Sequence, residues 1–303
     1  MAELPPADIF PNLALESVLG EGGTATVYLA RQISTGRQVA VKVLKEAFVR
    51  TPEDVERFRN EAKACARFQH RNIVRVYDTG EQNGLSYFVM EWVRGYTFAS
   101  YLARKGHLEV DDGLIILESV AAALQYAWQR FRVVHCDLKP DNLLVDADGT
   151  VKVMDLGISR SVLTAAKEGA ADNTSEIMGT PAYMSPDQIY DLPDLDCRAD
   201  IYSLGATLYQ LLTGHVLFPG KTDQQVVDAH IGPNFARDPR VLMPAIPRPL
   251  ALMLNRMLAK DRTLRYPNWE TLAADIAHLY AGEPLLATPL KPGESSVSFT
   301  AEW

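Results

Sequence analysis

Short apolar, β-branched and aromatic runs crowd the first third of the chain: TVYLA (26–30), QVAVKVL (38–44) and LSYFVMEWV (85–93). Turn residues such as Ser34-Thr35-Gly36 and Asn83-Gly84 separate them, so each run predicts a strand. Between them, TPEDVERFRNEAKACARF (51–68) has a threonine cap, proline in the first turn, early acids and apolar residues at helical spacing. That pattern predicts one helix. After Gly95 the apolar segments lengthen, and 111–130, 198–214, 248–258 and 269–280 predict amphipathic or buried helices. VVH (133–135), LLVD (143–146) and VKVMD (151–155) predict short strands, the last two joined by a turn at Asp148-Gly149. The expected architecture is α+β and bilobal, with a small β-rich lobe over 13–92 carrying one main helix and a larger helical lobe over 93–282. Residues 1–12 form an N-terminal extension, and 283–303, rich in Pro, Ser and Gly, predict a linker-like or disordered tail.

Composition narrows the partners. A net charge of −8 and a pI near 5.3 argue against general binding to nucleic-acid backbones or anionic membranes, so no nucleic acid is expected. Cys65, Cys136 and Cys197 are far apart and odd in number, which suggests neither a disulfide framework nor a zinc site and fits a reducing compartment. No run approaches the roughly 18 apolar residues of a membrane span, and the first residues lack a basic-then-apolar leader pattern.

Four motifs carry chemistry. LGEGGTATVYLA (19–30) places Gly20, Gly22 and Gly23 between two strand-like segments. Residues without Cβ allow a phosphate to approach the main chain, although an ordinary glycine-rich hairpin would read the same. No Lys-Ser/Thr and no helix follow, so neither the P-loop nor the dinucleotide fingerprint fits. VAVK (39–42) adds Lys42 near the end of a strand, either a snorkelling surface lysine or a cation that pairs with Glu61, nineteen residues on. HCDLKPDN (135–142) sets Asp137, Lys139 and Asn142 on one loop: a carboxylate to accept a hydroxyl proton, an ammonium to offset phosphoryl charge, and an amide oxygen for a hard cation. DLG (155–157) supplies a second metal carboxylate, Asp155. Any one of these reads equally well as a polar loop residue or cap; the ordered set does not.

Together they resemble the eukaryotic-type protein Ser/Thr kinases, the bacterial members most of all, over roughly 13–282. The resemblance implies an ATP-dependent enzyme that phosphorylates Ser or Thr in proteins, itself included, with Mg²⁺ as the metal and Mn²⁺ as an alternative. It implies that Leu19, Gly20, Glu21, Gly22 and Gly23 cover the phosphates. Val27, Ala40 and Leu144 would sandwich adenine, with Met90 as gatekeeper and Glu91 to Val93 as the hinge. Lys42 would hold the α- and β-phosphates and pair with Glu61, Asp137 would be the base, Lys139 would contact the γ-phosphate, and Asn142 and Asp155 would bind the metal. Asp200, in RADIYSLG, would anchor the loop that carries the base. Lys139 with Thr180 of GTPAYMSP (179–186) matches Ser/Thr rather than tyrosine kinases. The implied setting is cytoplasmic, or the cytoplasmic domain of a longer membrane-anchored kinase, with protein substrates and a homodimer as candidate partners.

The chain departs from the family pattern at four places. Ala25 replaces the third glycine and DLG replaces DFG; both keep the local chemistry. SPD (185–187) puts the shorter Asp187 where a glutamate normally pairs with an arginine, here Arg265, so the expected pairing is longer or water-bridged. Cys136 replaces the arginine that normally meets a phosphate on the activation segment, making this a non-RD loop. Cysteine offers no bidentate cation, so the chemistry should persist while dependence on activation-segment phosphorylation weakens. As a side chain, Cys136 is expected to be a small buried filler. Thr164, Thr174 and Ser175, on a polar segment, read either as autophosphorylation sites or equally well as solvated loop hydroxyls. A nucleotide-binding pseudokinase scaffold is the alternative, disfavoured because Lys42, Glu61, Asp137, Asn142 and Asp155 are all present.

Overall fold

Alternation along QVAVKVL decides the first half of the molecule. Successive side chains of a strand point to opposite faces, so Val39, Val41 and Val43 fall on one face and Ala40 and Lys42 on the other. The computed structural model describes residues 10, 12–22, 25–45, 65–82, 84–156 and 180–298. These divide after Arg94 into two compact units, with Asp155 and Leu156 grouped with the first.

The first unit is an antiparallel sheet of β1 (Leu13–Glu21), β2 (Ala25–Gln32), β3 (Gln38–Leu44), β4 (Val76–Gln82) and β5 (Leu85–Glu91) in the order β1-β2-β3-β5-β4. Val39, Val41 and Val43 pack with Tyr28, Ala30, Val89, Leu13 and Phe10 as the core of one face. Phe10 meets Tyr87 edge to face at 4.7 Å. Two strands have no clear signal in the sequence, β1 and β4, because polar residues interrupt their apolar pattern. They form where neighbours with stronger patterns offer hydrogen-bonding edges. Most of the helix expected over 51–68 lies outside the described residues, as do Gly23, Glu61, Thr164, Thr174 and Ser175; Cys65 and Phe68 at its end are buried.

The second unit opens with β6 (Gly95–Thr97), α1 (Phe98–Lys105) and α2 (Val110–Phe131). A three-stranded sheet joins β6 to β7 (Leu143–Asp146) and β8 (Val151–Val153). Gly95 is obligatory at that edge, since a Cβ there would stand 1.7 Å from the Val145 carbonyl oxygen. VVH (133–135) is not a strand: it runs irregularly, because the His135 amide is satisfied by a carboxylate instead of a ladder partner. The rest is helical: α3 (Pro186–Ile189), α4 (Cys197–Thr213), α5 (Asp223–Ile231), α6 (Pro239–Leu242), α7 (Arg248–Met257) and α8 (Trp269–Ala281). α4 is buried along almost its whole length and is the axis of this unit, with α2 and α7 packed against it. Helix caps at Thr97, Asp196 and Asn268 satisfy the first-turn amides of α1, α4 and α8.

The tail expected to be linker-like or disordered is docked over 283–298. Ser295, Ser296 and Val297 are buried, and Val297 forms a parallel bridge with Ala236. The Ser296 amide donates to Leu258 O (2.8 Å) and its carbonyl accepts from Ala236 N (2.7 Å). Tyr202 Oη lies between Ser296 Oγ (2.9 Å) and His230 Nδ1 (2.8 Å), a chain of hydroxyls that suits a neutral imidazole. A polar composition suggested disorder, but each small serine fills a hydrogen-bonding slot that only the folded helices create.

Burial pushes the His230 imidazole down from 6.5 to about 4, with the Lys260 charge adding to the effect. The unfolded chain therefore binds a proton near pH 6.5 that the folded chain refuses until about pH 4. Stability is then full above pH 6.5 and falls as the pH drops through that window, by on the order of 3 kcal/mol. Urea melts at pH 7 and pH 4.5 should show this loss, and His230→Gln should remove most of the slope; an unchanged slope in the variant would exclude His230 as its source.

Candidate active site

In the first unit, strand pairing sorts the residues expected to bind nucleotide. Directly opposed residues of an antiparallel pair share a face. Val27 opposes Lys42 and Gly20, while Ala40 opposes Met90, so Gly20, Val27, Ala40, Lys42 and Met90 all lie on the face opposite the valine core. Gly22 N donates to Ala25 O (2.9 Å), closing the β1–β2 turn. Crowding does not require glycine here: a Cβ at Gly20 would meet nothing within 4 Å, and at Gly22 only Ala25 O at 3.5 Å. The main chain is thus open to a group from outside. Leu19 and Glu21 are exposed beside it, whereas Met90 and Val93 are buried. Glu91 N donates to Arg75 O (2.8 Å), which holds the end of β5. Lys42 Nζ sits 2.5 Å from Asp155 Oδ2, both side chains about one-eighth exposed. A cation already rests on the carboxylate expected to bind metal.

In the second unit, the loop 135–142 is organised around one buried carboxylate. Asp200, on α4, accepts from His135 N (2.7 Å) and Cys136 N (3.0 Å) with its two oxygens. Burial pushes the Asp200 carboxyl up, while His135 and the two amides pull the other way. Cys136 has φ +65°, a left-handed conformation that costs a non-glycine residue roughly 1–2 kcal/mol. Asp200 offsets this strain by binding both amides. The Cys136 side chain is buried with Val134 and Ala199, the small filler expected of it. His135 Nδ1 accepts from Asp137 N (3.3 Å), which leaves Nε2–H to donate to Met154 O (2.9 Å).

That frame gathers four predicted residues. Lys139 Nζ lies 2.9 Å from Asp137 Oδ2 and donates to Thr180 Oγ1 at 2.7 Å. Asn142 Nδ2 donates to Asp137 O (2.7 Å) and Asp137 Oδ2 (2.9 Å), orienting its amide so that Oδ1 faces elsewhere. Leu144 follows on β7, opposite Thr97 and Lys152. Asp137 and Lys139 are each one-fifth exposed, so a substrate hydroxyl can reach the carboxylate. The cluster can take a proton from a hydroxyl while holding a positive charge beside the oxygen that loses it.

Two features depart from expectation or escaped it. Asp187 meets Arg265 directly, with Nη1 to Oδ2 at 2.6 Å, not through water. The shorter acid suffices because Arg265 is itself drawn in: Nε donates to Ala259 O (2.7 Å), Nη2 to Lys260 O (3.0 Å), and the guanidinium lies over Tyr202. Burial pulls the Arg265 pKa down and Asp187 holds it up. The residue missed is Gln188, whose Nε2 donates to the Cys136 carbonyl at 2.6 Å. Its only sequence signal is Ser185-x-x-Gln188, a capping-box spacing that the structure forms.

Comparison with known proteins follows the geometry. A family model described as protein kinase domain matches residues 13–276. The chain is 35% identical over 268 residues to the serine/threonine-protein kinase PrkC of Bacillus subtilis, covering 88% of this chain and 40% of that protein. It is 34% identical over 283 residues to PknB of Mycobacterium tuberculosis, covering 92% of this chain and 44% of that protein. The chain thus spans about two fifths of the length of these relatives. The crystal structure of the M. tuberculosis PknI kinase domain superposes with a TM-score of 0.73 at 26% identity, covering 92% of this chain and all of that one.

Removing one partner of a buried pair leaves the other charge unmatched. Arg265→Ala should therefore lower unfolding free energy by about 3–5 kcal/mol, read from urea denaturation, and Asp187→Asn should cost less because the guanidinium keeps its carbonyl partners.

Proposed function

The chain belongs to the protein kinase domain family, and from that premise we propose that it transfers the γ-phosphoryl group of ATP to serine or threonine hydroxyls of proteins, its own included. The observation that carries the reading is the cluster of Asp137, Lys139 and Asn142, on a loop held by Asp200, with Thr180 of a later segment bonded to Lys139. In the reaction the substrate oxygen attacks the γ-phosphorus, its proton passes to an Asp137 oxygen, and the bond from the γ-phosphorus to the bridging oxygen breaks to release ADP. Lys139, beside Asp137, offsets charge on the transferring oxygens. Thr180 accepts from the same lysine, and the pairing of Lys139 with Thr180 is the combination that resembles the Ser/Thr members of the family.

Gly20, Val27, Ala40, Lys42 and Met90 on one face, with Leu19, Glu21, Gly22, Gly23, Glu91, Val93 and Leu144, are the proposed ATP contacts; Glu61 is the proposed partner of Lys42. Asn142 Oδ1 and the Asp155 carboxylate are the metal ligands in this reading. Both are hard oxygen donors, suited to Mg²⁺ and also to Mn²⁺, and the pairing of the Lys42 ammonium with Asp155 is consistent with an ionised carboxylate there. Two protein ligands are few, as expected where substrate phosphates complete the shell. When bound, the metal neutralises phosphate charge.

A cytoplasmic setting, or the cytoplasmic domain of a longer anchored kinase, is supported by the need for ATP and by three buried cysteines outside any disulfide. Among the described residues no helix is long and apolar enough to cross a membrane. Because Cys136 presents a thiol to an apolar pocket, we also propose a non-RD enzyme whose rate depends weakly on activation-segment phosphorylation.

Purified protein with labelled ATP, Mg²⁺ and a basic protein substrate should incorporate label. Asp137→Asn should lower the rate about 10²–10⁴-fold without changing the melt; no label from the wild type would exclude a kinase. Phosphatase treatment should change the wild-type rate less than about threefold on the order-of-magnitude scale of such switches, and a large loss would contradict weak dependence on segment phosphorylation.

A further inference from the structure

Cys136 sits in a left-handed conformation with its side chain buried, and it carries no cation with which a phosphate could pair. Its peptide is nevertheless held at both ends. The amide donates to Asp200, and the carbonyl accepts from Gln188 Nε2 at 2.6 Å. That carbonyl shares a rigid plane with the amide of Asp137, which donates to His135 Nδ1. Fixing the Cys136 oxygen therefore fixes the plane from which Asp137 departs.

The orientation of Gln188 is not ambiguous. Its Oε1 accepts from Ser185 N (3.1 Å), a main-chain amide that can only donate, and stands within reach of Ser185 Oγ (3.0 Å) and Ser203 Oγ (3.4 Å). The amide nitrogen must then face Cys136 O. Ser185 Oγ in turn accepts from Gln188 N (3.3 Å), so the side chain and the start of α3 lock each other. α3 directly follows Thr180–Met184, the segment tied to Lys139 through Thr180.

We propose that Gln188 is a positioning residue for phosphoryl transfer, holding the Asp137 carboxylate in register through the 136–137 peptide and coupling the end of the activation segment to the catalytic loop without a charged group. This rests on the kinase reading above. The tie is uncharged, so it operates whether or not the segment carries phosphate. It acts on the base and not on ATP or peptide contacts, so its loss appears in kcat.

Two variants test it in the full chain. Gln188→Met keeps the volume and removes both polar atoms; Gln188→Glu keeps the acceptor for Ser185 and replaces the donor with a carboxylate facing a carbonyl. Each should lower kcat about 10- to 100-fold, the scale of a misplacement near 1 Å, with KM for ATP and for the basic protein substrate within twofold. Protonation restores a donor to the glutamate, so the kcat ratio of Gln188→Glu to wild type should rise as pH falls from about 8 to 5.5, on the way to the ordinary glutamate pKa. The ratio for Gln188→Met should stay flat. If Gln188→Met does not fold, the pH profile of Gln188→Glu carries the test. Wild-type label with undiminished kcat in the variants, or a loss confined to KM or to the melting temperature, would overturn the positioning role alone. Absence of label from the wild type would overturn both this role and the kinase reading.

Discussion

One carboxylate, Asp200, sets the geometry on which the catalytic loop depends. It is 1% exposed on a helix that is itself buried, and its two oxygens take the consecutive amides of His135 and Cys136. Two adjacent amides can converge on one acceptor only if the backbone bends sharply, and the positive φ of Cys136 is that bend. The next residue is the proposed base. A charged acceptor makes these bonds stronger than neutral ones, which is how a strained backbone persists at a place where orientation matters.

Around this bend, polar groups are satisfied by main chain more than by other side chains. His135 bridges the Asp137 amide and Met154 O, Thr207 Oγ1 reaches Leu138 O, and Gln188 takes Cys136 O. Asn142 reaches both the carbonyl and the carboxylate of Asp137. At position 136 these bonds run through main-chain atoms alone, whereas His135 and Asn142 contribute their side chains. That explains how position 136 accommodates a cysteine: the loop is held through its amide and carbonyl, and its side chain packs with Val134 and Ala199.

The proposed catalytic set was legible in the sequence because its chemistry is local. Asp137, Lys139 and Asn142 lie within six residues, and the strand alternation that puts Ala40 and Lys42 on one face is a period-two pattern. Other features were not legible. Val133 to His135 looked like a strand, since β-branched residues favour extended backbone whether or not a ladder partner exists. Ser295 and Ser296 looked disordered because nothing local orders them; their partners Leu258, Ala236 and Tyr202 lie between 37 and 94 residues away in the chain. Asp187 looked too short to reach Arg265, a judgement of side-chain length that ignored how far carbonyls 259 and 260 draw the arginine in.

By itself, the sequence determined the strongly patterned strands and the long helices, which residue types stand ready for phosphoryl transfer, and that position 136 cannot carry a phosphate-binding cation. Periodicity, turn chemistry and motif spacing act over a few residues, so they survive in one dimension. Only the tertiary structure decided that the tail docks, that Asp187 and Arg265 meet directly, and that a glutamine 52 residues from Cys136 closes the loop through its carbonyl. Those outcomes depend on where buried hydrogen-bonding groups find partners. That is settled when distant segments pack and leave each polar group either matched or stranded.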